Sequence, residues 1–426
     1  MNKIHIKGGR LIDPKNRVDA KQDVFISEGR IVATGKPPAG FRAERTIDAA
    51  NLVVCPGLVD LSARLREPGF EYKATLESEM QAAVAGGVTS LACPPDTDPP
   101  LDEPGLVEML KHRAKSLNLV HVYPLGALTW KLGGERLTEM AVLRDAGCVA
   151  FSHADTPLAD TQVLWRALQY ASTFGFAVWL RPQDGYLGRG GVAHDGEVAT
   201  RLGLPGVPSF AETIALATIL HLVRATRTRV HLCRLSTAEG VAMVRAAKEE
   251  GLPVSCDVSV HHVHLSEIDL GYFDSHCHVI PPFRSLRDRD ALREGLADGT
   301  IDAICSDHAP VDEDAKQLPF AESEPGATGL ELLLPLALKW ASEAHLTLPV
   351  ALACLTSKPA AILGVPAGEI TAGGEADLCV FDPNAYVRIT ADFLRSQGKN
   401  TPFMGYELPG RVRYTVVGGR IVYEAG

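Results

Sequence analysis

Three short segments of this 426-residue sequence carry side chains that could hold a cation or move a proton: Asp307-His308, His261-His262-Val263-His264 and His276-Cys277-His278. A carboxylate beside an imidazole is the pairing that holds a divalent ion or relays a proton to an activated water. The histidine-rich segments read less sharply. Adjacent residues of an extended segment point to opposite sides, so His261 and His262 do not readily share one ion, and a surface or hydrogen-bonded role is expected. His276 and His278 would share a strand face, but no further ligand stands near them in sequence, so only adventitious metal binding is expected there. Arginines stand where strand-like runs end, at Arg64, Arg66, Arg181 and Arg234. A guanidinium stays protonated and has no lone pair to donate. Such a set grips carboxylates and repels metal ions.

The elements that must position these groups alternate along the chain. Short apolar, strand-like runs occupy 58–65, 88–93, 121–127, 148–152, 176–181, 229–234, 253–260 and 301–307. Periodic apolar stretches lie between them, clearest at 74–87, 136–147, 237–251 and 288–299, each closed by a glycine, and a last one at 329–345 follows the eighth run. Eight βα units read as an α/β fold, a parallel (β/α)8 barrel whose reactive groups gather where the strands end. An open doubly wound sheet would call for a glycine-rich phosphate loop after its first strand, and Gly86-Gly87 and Gly373-Gly374 read instead as turn glycines. Both ends have another texture, short strands with turn punctuation at 4–7, 23–26 and 30–34, and again at 376–382 and 414–422. Neither end could bury a sheet face alone. Residues 1–57 and 366–426 are therefore expected to meet in one small β-sandwich beside a barrel of residues 58–365.

The first strand end, Pro56-Gly57-Leu58-Val59-Asp60-Leu61-Ser62-Ala63-Arg64-Leu65-Arg66-Glu67-Pro68-Gly69, resembles the signature of dihydroorotases and allantoinases in the amidohydrolase superfamily. Asp96-Thr97-Asp98-Pro99-Pro100, Ile280-Pro281-Pro282-Phe283-Arg284, Ser306-Asp307-His308-Ala309-Pro310, Gly373-Gly374-Glu375-Ala376-Asp377-Leu378 and Asn400-Thr401-Pro402-Phe403 resemble further family segments in the family's order. The resemblance implies a TIM-like amidohydrolase barrel. It also implies a metal site of two strand-one histidines, a carboxylate or carboxylated lysine after strand four, histidines after strands five and six, and the strand-eight aspartate. At those places stand Ser62, Arg64, His153, Arg181, Arg234 and Asp307. Only Asp307 survives as a family ligand. Each guanidinium would repel a unit charge at 4 Å by about 4 kcal/mol at an effective dielectric of 20, and a dication by about twice that. Zinc is therefore expected to be lost as a cofactor. Asp307 is then vestigial, with its carboxylate paired to Arg64, Arg181 or Arg234. On the substrate side Arg66 could still grip a carboxylate, while Asp96 and Ile280 stand where the family has amides.

What the resemblance implies for function is a non-catalytic dihydroorotase homologue of pyrimidine biosynthesis, similar to the structural partner of the aspartate carbamoyltransferase catalytic chain, in a hetero-oligomer or also with itself. Two alternatives stay open. One is an active metal-dependent cyclic-amide hydrolase with a site rebuilt from His153, His262 and Asp307. The other is a metal-free sensor that binds dihydroorotate or carbamoyl aspartate through Arg66. Composition is ordinary for a globular protein, 46% apolar and 22% charged, and a net charge of −10 speaks against nucleic-acid and membrane-surface partners. Nine scattered cysteines without a CxxC pair fit a reducing compartment, with Cys256 and Cys305 expected to fill the barrel. The opening Met1-Asn2-Lys3-Ile4-His5-Ile6 runs straight into a strand-like pattern, and no long apolar stretch follows, so a cytoplasmic location is expected.

Overall fold

In the computed structural model, which describes residues 3–426, eight strands pair in chain order into one parallel sheet curled into a barrel. They are Leu58–Asp60, Val88–Cys93, His121–Ala127, Ala150–Ser152, Val178–Leu180, Val230–Leu232, Val254–Ser259 and Ala303–Cys305. Every expected run contains one of them. The runs look continuously apolar because a barrel strand is buried on both faces. On the fifth strand Val178 and Leu180 pack outward against the helical layer, while Trp179 between them fills the barrel. Cys305 also fills the barrel, but Cys256 does not: it packs outward, and its thiol donates to the carbonyl of Thr300 (3.3 Å).

The first and eighth strands close the barrel through side chains. Asp60, wholly buried, accepts from the backbone N–H (2.7 Å) and hydroxyl (2.5 Å) of Ser306. Just beyond, Ala63 bridges His308, with Arg64 N–H donating to the His308 carbonyl (2.9 Å). Removing Asp60 would leave buried donors unpaired at the seam, at a cost of about 1–3 kcal/mol.

Helices Leu76–Ala85, Met140–Ala146, Ala238–Glu249, Leu286–Asp298 and Leu333–Glu343 lie where the periodicity placed them. Gly147 and Gly299 close two of them in the left-handed conformation that only glycine adopts without strain. Between the fifth and sixth strands the chain makes an excursion that the apolar pattern did not single out. Ala193–His194 pairs with Gly206–Val207 around the helix Glu197–Leu202, and the long helix Phe210–Thr226 follows. Arg284 pins this excursion by donating to the Val207 carbonyl (2.5 Å) and the Ser236 hydroxyl (3.1 Å).

The two ends of the chain form a β-sandwich. One sheet orders Arg30–Thr34, Val24–Ser27, Ile4–Lys7 and Arg45–Asp48; the other orders Arg420–Glu424, Glu407–Val417, Leu378–Arg388, Val53–Pro56, Arg10–Asp13 and Val18–Lys21. Ile6, Ile26 and Ile47 meet Val54, Leu378, Val380 and Val416 in its core. Met1 and Asn2 of the opening pattern lie outside the described residues. Among the described residues no helix is long and apolar enough to cross a membrane.

Candidate functional site at the barrel mouth

Just past the strand ends the chain carries charge into the mouth. Arg181 follows Trp179 on the inner face of strand five. Arg64 follows Ser62 beyond strand one. Arg234 and Asp307 adopt left-handed backbones (φ 55° and 48°) just past strands six and eight. The Arg234 turn is held by its N–H, which donates to Asp257 (2.6 Å).

These groups converge on Asp155. Its carboxylate accepts from Arg64 Nη2 (2.5 Å), from Arg181 Nε (2.9 Å) and from Arg234 Nη2, and its backbone carbonyl accepts from Arg181 Nη2 (2.7 Å). Arg64 Nε also donates to Asp96 (2.7 Å), and its Nη1 stands 3.6 Å from Asp307. Arg234 Nη1 donates to Asp307 (2.9 Å) and to the Ile280 carbonyl (3.2 Å). Three cations thus interleave with three carboxylates, and the arginine side chains are only 4–6% exposed. Burial would raise the Asp155 carboxyl, but Arg234, Arg64 and Arg181 outweigh it and hold it well below the usual carboxylate range. Burial works against the Arg234 charge too, yet Asp155 and Asp307 raise it well above its ordinary value. Asp307 goes the other way: burial raises its carboxyl despite the nearby Arg234 and Arg64.

Zinc needs ligands with a lone pair, from cysteine, histidine or carboxylate, arranged around one point. This mouth presents the Ser62 side chain and three guanidiniums beside its carboxylates, and each carboxylate is already spoken for. The residues do not fit a divalent ion. Among the described residues, one group of histidine and carboxylates converges as a metal site would, and it lies away from the mouth, at His121, Glu375 and Asp377.

The other expected residues fall as follows. Ser62 is buried beside the lattice, and its carbonyl accepts from His308 N–H (3.0 Å). Asp307 pairs with Arg234 and approaches Arg64; Arg181 belongs to Asp155 instead. Asp96 is taken by Arg64. Arg66 donates through Nε to the Pro310 carbonyl (2.9 Å) and makes no ion pair among the described residues. Burial and the neighbouring Arg64 charge lower its pKa.

His153 is not part of the lattice. Its Nε2 meets the Thr129 hydroxyl (2.8 Å) and its Nδ1 the Thr156 carbonyl (2.8 Å). His262 faces the Pro281 carbonyl (3.0 Å) and the Phe283 ring, so His153, His262 and Asp307 each serve different partners. His261 and His262 are not at the surface, being 1% and 2% exposed in a turn after strand seven. His276-Cys277-His278 sits on a 3-10 turn where the two rings part, one to Asp274 (3.0 Å) and the other to the Ser323 hydroxyl (2.9 Å). His308 anchors the strand-eight loop to the helix Leu76–Ala85 through Glu79 (2.5 Å).

Asp155 is the residue that sequence reasoning missed. Ala154 takes a left-handed backbone (φ 51°), which reverses the alternation after strand four and turns Asp155 toward the mouth. The available signal was charge balance. Three arginines aimed at one pocket demand more anion than Asp307 and Asp96 supply, and Asp155 is the acid at the end of strand four.

The sequence model of the Amidohydrolase family matches residues 181–422, and that of the family described as Dihydro-orotase-like matches residues 51–240. Barrel, sandwich and family match together define an amidohydrolase. The chain is 48% identical over 421 residues to a dihydroorotase-like protein of Pseudomonas aeruginosa, and 47% identical over 420 residues to another of Pseudomonas putida, spanning 99% of each pair. A dihydroorotase of Geobacter sp. is 40% identical, again over 99% of both chains. The chain belongs to the dihydroorotase-like proteins of the amidohydrolase superfamily. An L-hydantoinase structure from Arthrobacter aurescens superposes with a TM-score of 0.89 over 100% of this chain and 97% of that one, at 24% identity, a likeness of fold.

Proposed function

We propose that this chain is a non-catalytic member of its family, a pseudoenzyme of pyrimidine biosynthesis whose role is to assemble with the aspartate carbamoyltransferase catalytic chain. One observation carries the reading: Arg64, Arg181 and Arg234 close around Asp155 where an active relative would hold its metal. Hydrolysing a cyclic amide near neutral pH takes a hydroxide and a polarised carbonyl, which a metal centre supplies. Asp307, bonded to Arg234, has no activated water to deprotonate. The lattice also speaks against an enzyme rebuilt from His153 and His262, whose rings are engaged elsewhere.

The folded shape is nonetheless intact. The strand-one seam, the capping box of Ser285 and Asp288 and the sandwich core are regular, while the departures from the family pattern gather at the mouth. A surface bound by a partner is the simplest requirement that preserves shape without chemistry. Closed symmetry then favours matched copy numbers of the two chains.

A second reading rests on Arg66, the mouth arginine without a carboxylate partner: a sensor that takes the carboxylate of dihydroorotate or carbamoyl aspartate. Co-expression with the aspartate carbamoyltransferase of the same organism, then size exclusion with light scattering, separates the two. A stable complex whose transferase activity depends on this chain supports the scaffold. Separate elution with a fully active transferase overturns it.

A further inference from the structure

His121 opens the third barrel strand at the end opposite the mouth, and the sandwich sets two carboxylates against it. Its Nε2 lies 3.0 Å from Asp377 Oδ2 and 3.7 Å from Glu375 Oε1, and all three ligand atoms fall within 4.8 Å of one another. Ligand atoms around a tetrahedral zinc with bonds of about 2.0–2.1 Å stand roughly 3.3–3.4 Å apart, between those two separations.

The contact with Asp377 is an ion-pair approach at 3.0 Å, with the imidazole nitrogen poorly aimed at the carboxylate oxygen. His121 Nε2 is shut off from solvent and, among the described residues, has no partner in hydrogen-bonding geometry, although a carboxylate oxygen is 3.0 Å away. Lone pairs that converge on a common point produce this arrangement, whereas an N–H···O bond needs the donor aimed at the acceptor. Asp377 is also held from behind. Its Oδ1 accepts from Gly418 N–H (2.8 Å), which leaves Oδ2 turned to the imidazole, as outer hydrogen bonds orient metal-binding carboxylates. With the imidazole deprotonated, the three side chains carry two negative charges, which one dication neutralises.

We propose that His121, Glu375 and Asp377 form a binding site for a first-row divalent cation, zinc by preference, that staples the sandwich to the base of the barrel. The donor set of one nitrogen and two carboxylate oxygens suits zinc and cobalt better than calcium, which takes six or more oxygens. The site is independent of the barrel mouth and of the scaffold reading.

The test is calorimetric titration of chelator-treated protein with Zn²⁺, repeated on His121→Ala, Glu375→Gln and Asp307→Asn, with Co²⁺ absorption as a second readout. Glu375 is half exposed, so its variant keeps the test sound even where His121→Ala folds poorly. The expected result is one saturable Zn²⁺ per chain, weakened about tenfold or more by either of the first two changes and untouched by Asp307→Asn. The cobalt complex should show the ligand-field bands of mixed nitrogen and oxygen ligation, and Tm should rise on zinc binding except in those two variants. Absence of saturable binding, or binding unaltered by His121→Ala and Glu375→Gln, overturns the proposal. Binding lost only in Asp307→Asn would place the ion at the mouth and overturn this site and the lattice together.

Discussion

Replacing Asp155 with asparagine keeps the shape of the side chain and removes the charge that three guanidiniums share. Arg64 would keep Asp96 at 2.7 Å, and Arg234 would keep Asp307 at 2.9 Å. Arg181, 4% exposed, pairs with Asp155 alone among the described carboxylates and would be stranded. Removing one partner of a buried ion pair costs about 3–5 kcal/mol. The Asp155 side chain is 28% exposed, and discounting for that access of water leaves ~2–4 kcal/mol. Urea unfolding should show this loss as a lower midpoint at unchanged slope. Adding Arg181→Leu should restore part of it, because the stranded cation is gone. The sign with pH also follows. The Asp155 carboxyl is held below its unfolded value, so its contribution is present above about pH 4 and lost as pH falls toward the folded value. The Asp155→Asn deficit should therefore shrink in acid. A change within about 0.5 kcal/mol at neutral pH, or a gain in stability, would refute the lattice as a stabilising unit.

Dihydroorotate hydrolysis and the reverse cyclisation should both stay at the buffer blank with zinc supplied; turnover abolished by Asp307→Ala would reveal a rebuilt site. Ser62→His with Arg64→His should not restore activity, because Arg181 and Arg234 still hold Asp155, and even slow hydrolysis in that variant would count against the reasoning. Burial lowers His261 to a pKa of about 3 and His264 to about 4, so both stay neutral in the fold and gain protons on unfolding below about pH 6.5. Stability should accordingly fall as pH drops from 6.5 to 5, by about 2 kcal/mol per histidine. His264→Gln should flatten that limb in urea titrations, and an unchanged limb would show that His264 contributes nothing to it.

The barrel was legible because its signals are local and repeated. Runs such as 88–93 and 121–127 coincide with whole strands, and Gly147 and Gly299 stand where helices stop. The sandwich was legible by elimination, since neither end had a face to bury alone. What stayed hidden depends on backbone parity and on distant partners. The left-handed Ala154 brings Asp155 to the mouth while His153 turns to Thr129 and Thr156, and no periodicity records such a reversal. Cys256 and Cys305 look alike in sequence, yet alternation sends one outward and one inward. His121 read as the start of a strand, and its approach to Asp377 depends on contact between residues 256 positions apart.

Diffraction at the zinc absorption edge, from crystals grown with Zn²⁺, tests the mouth most directly because it locates the ion as well as detecting it. The expected anomalous map has no peak within bonding distance of Asp307, and the electron density shows the guanidiniums of Arg64, Arg181 and Arg234 closed on Asp155. A zinc peak on Asp307, with those guanidiniums swung aside, would contradict the non-catalytic reading.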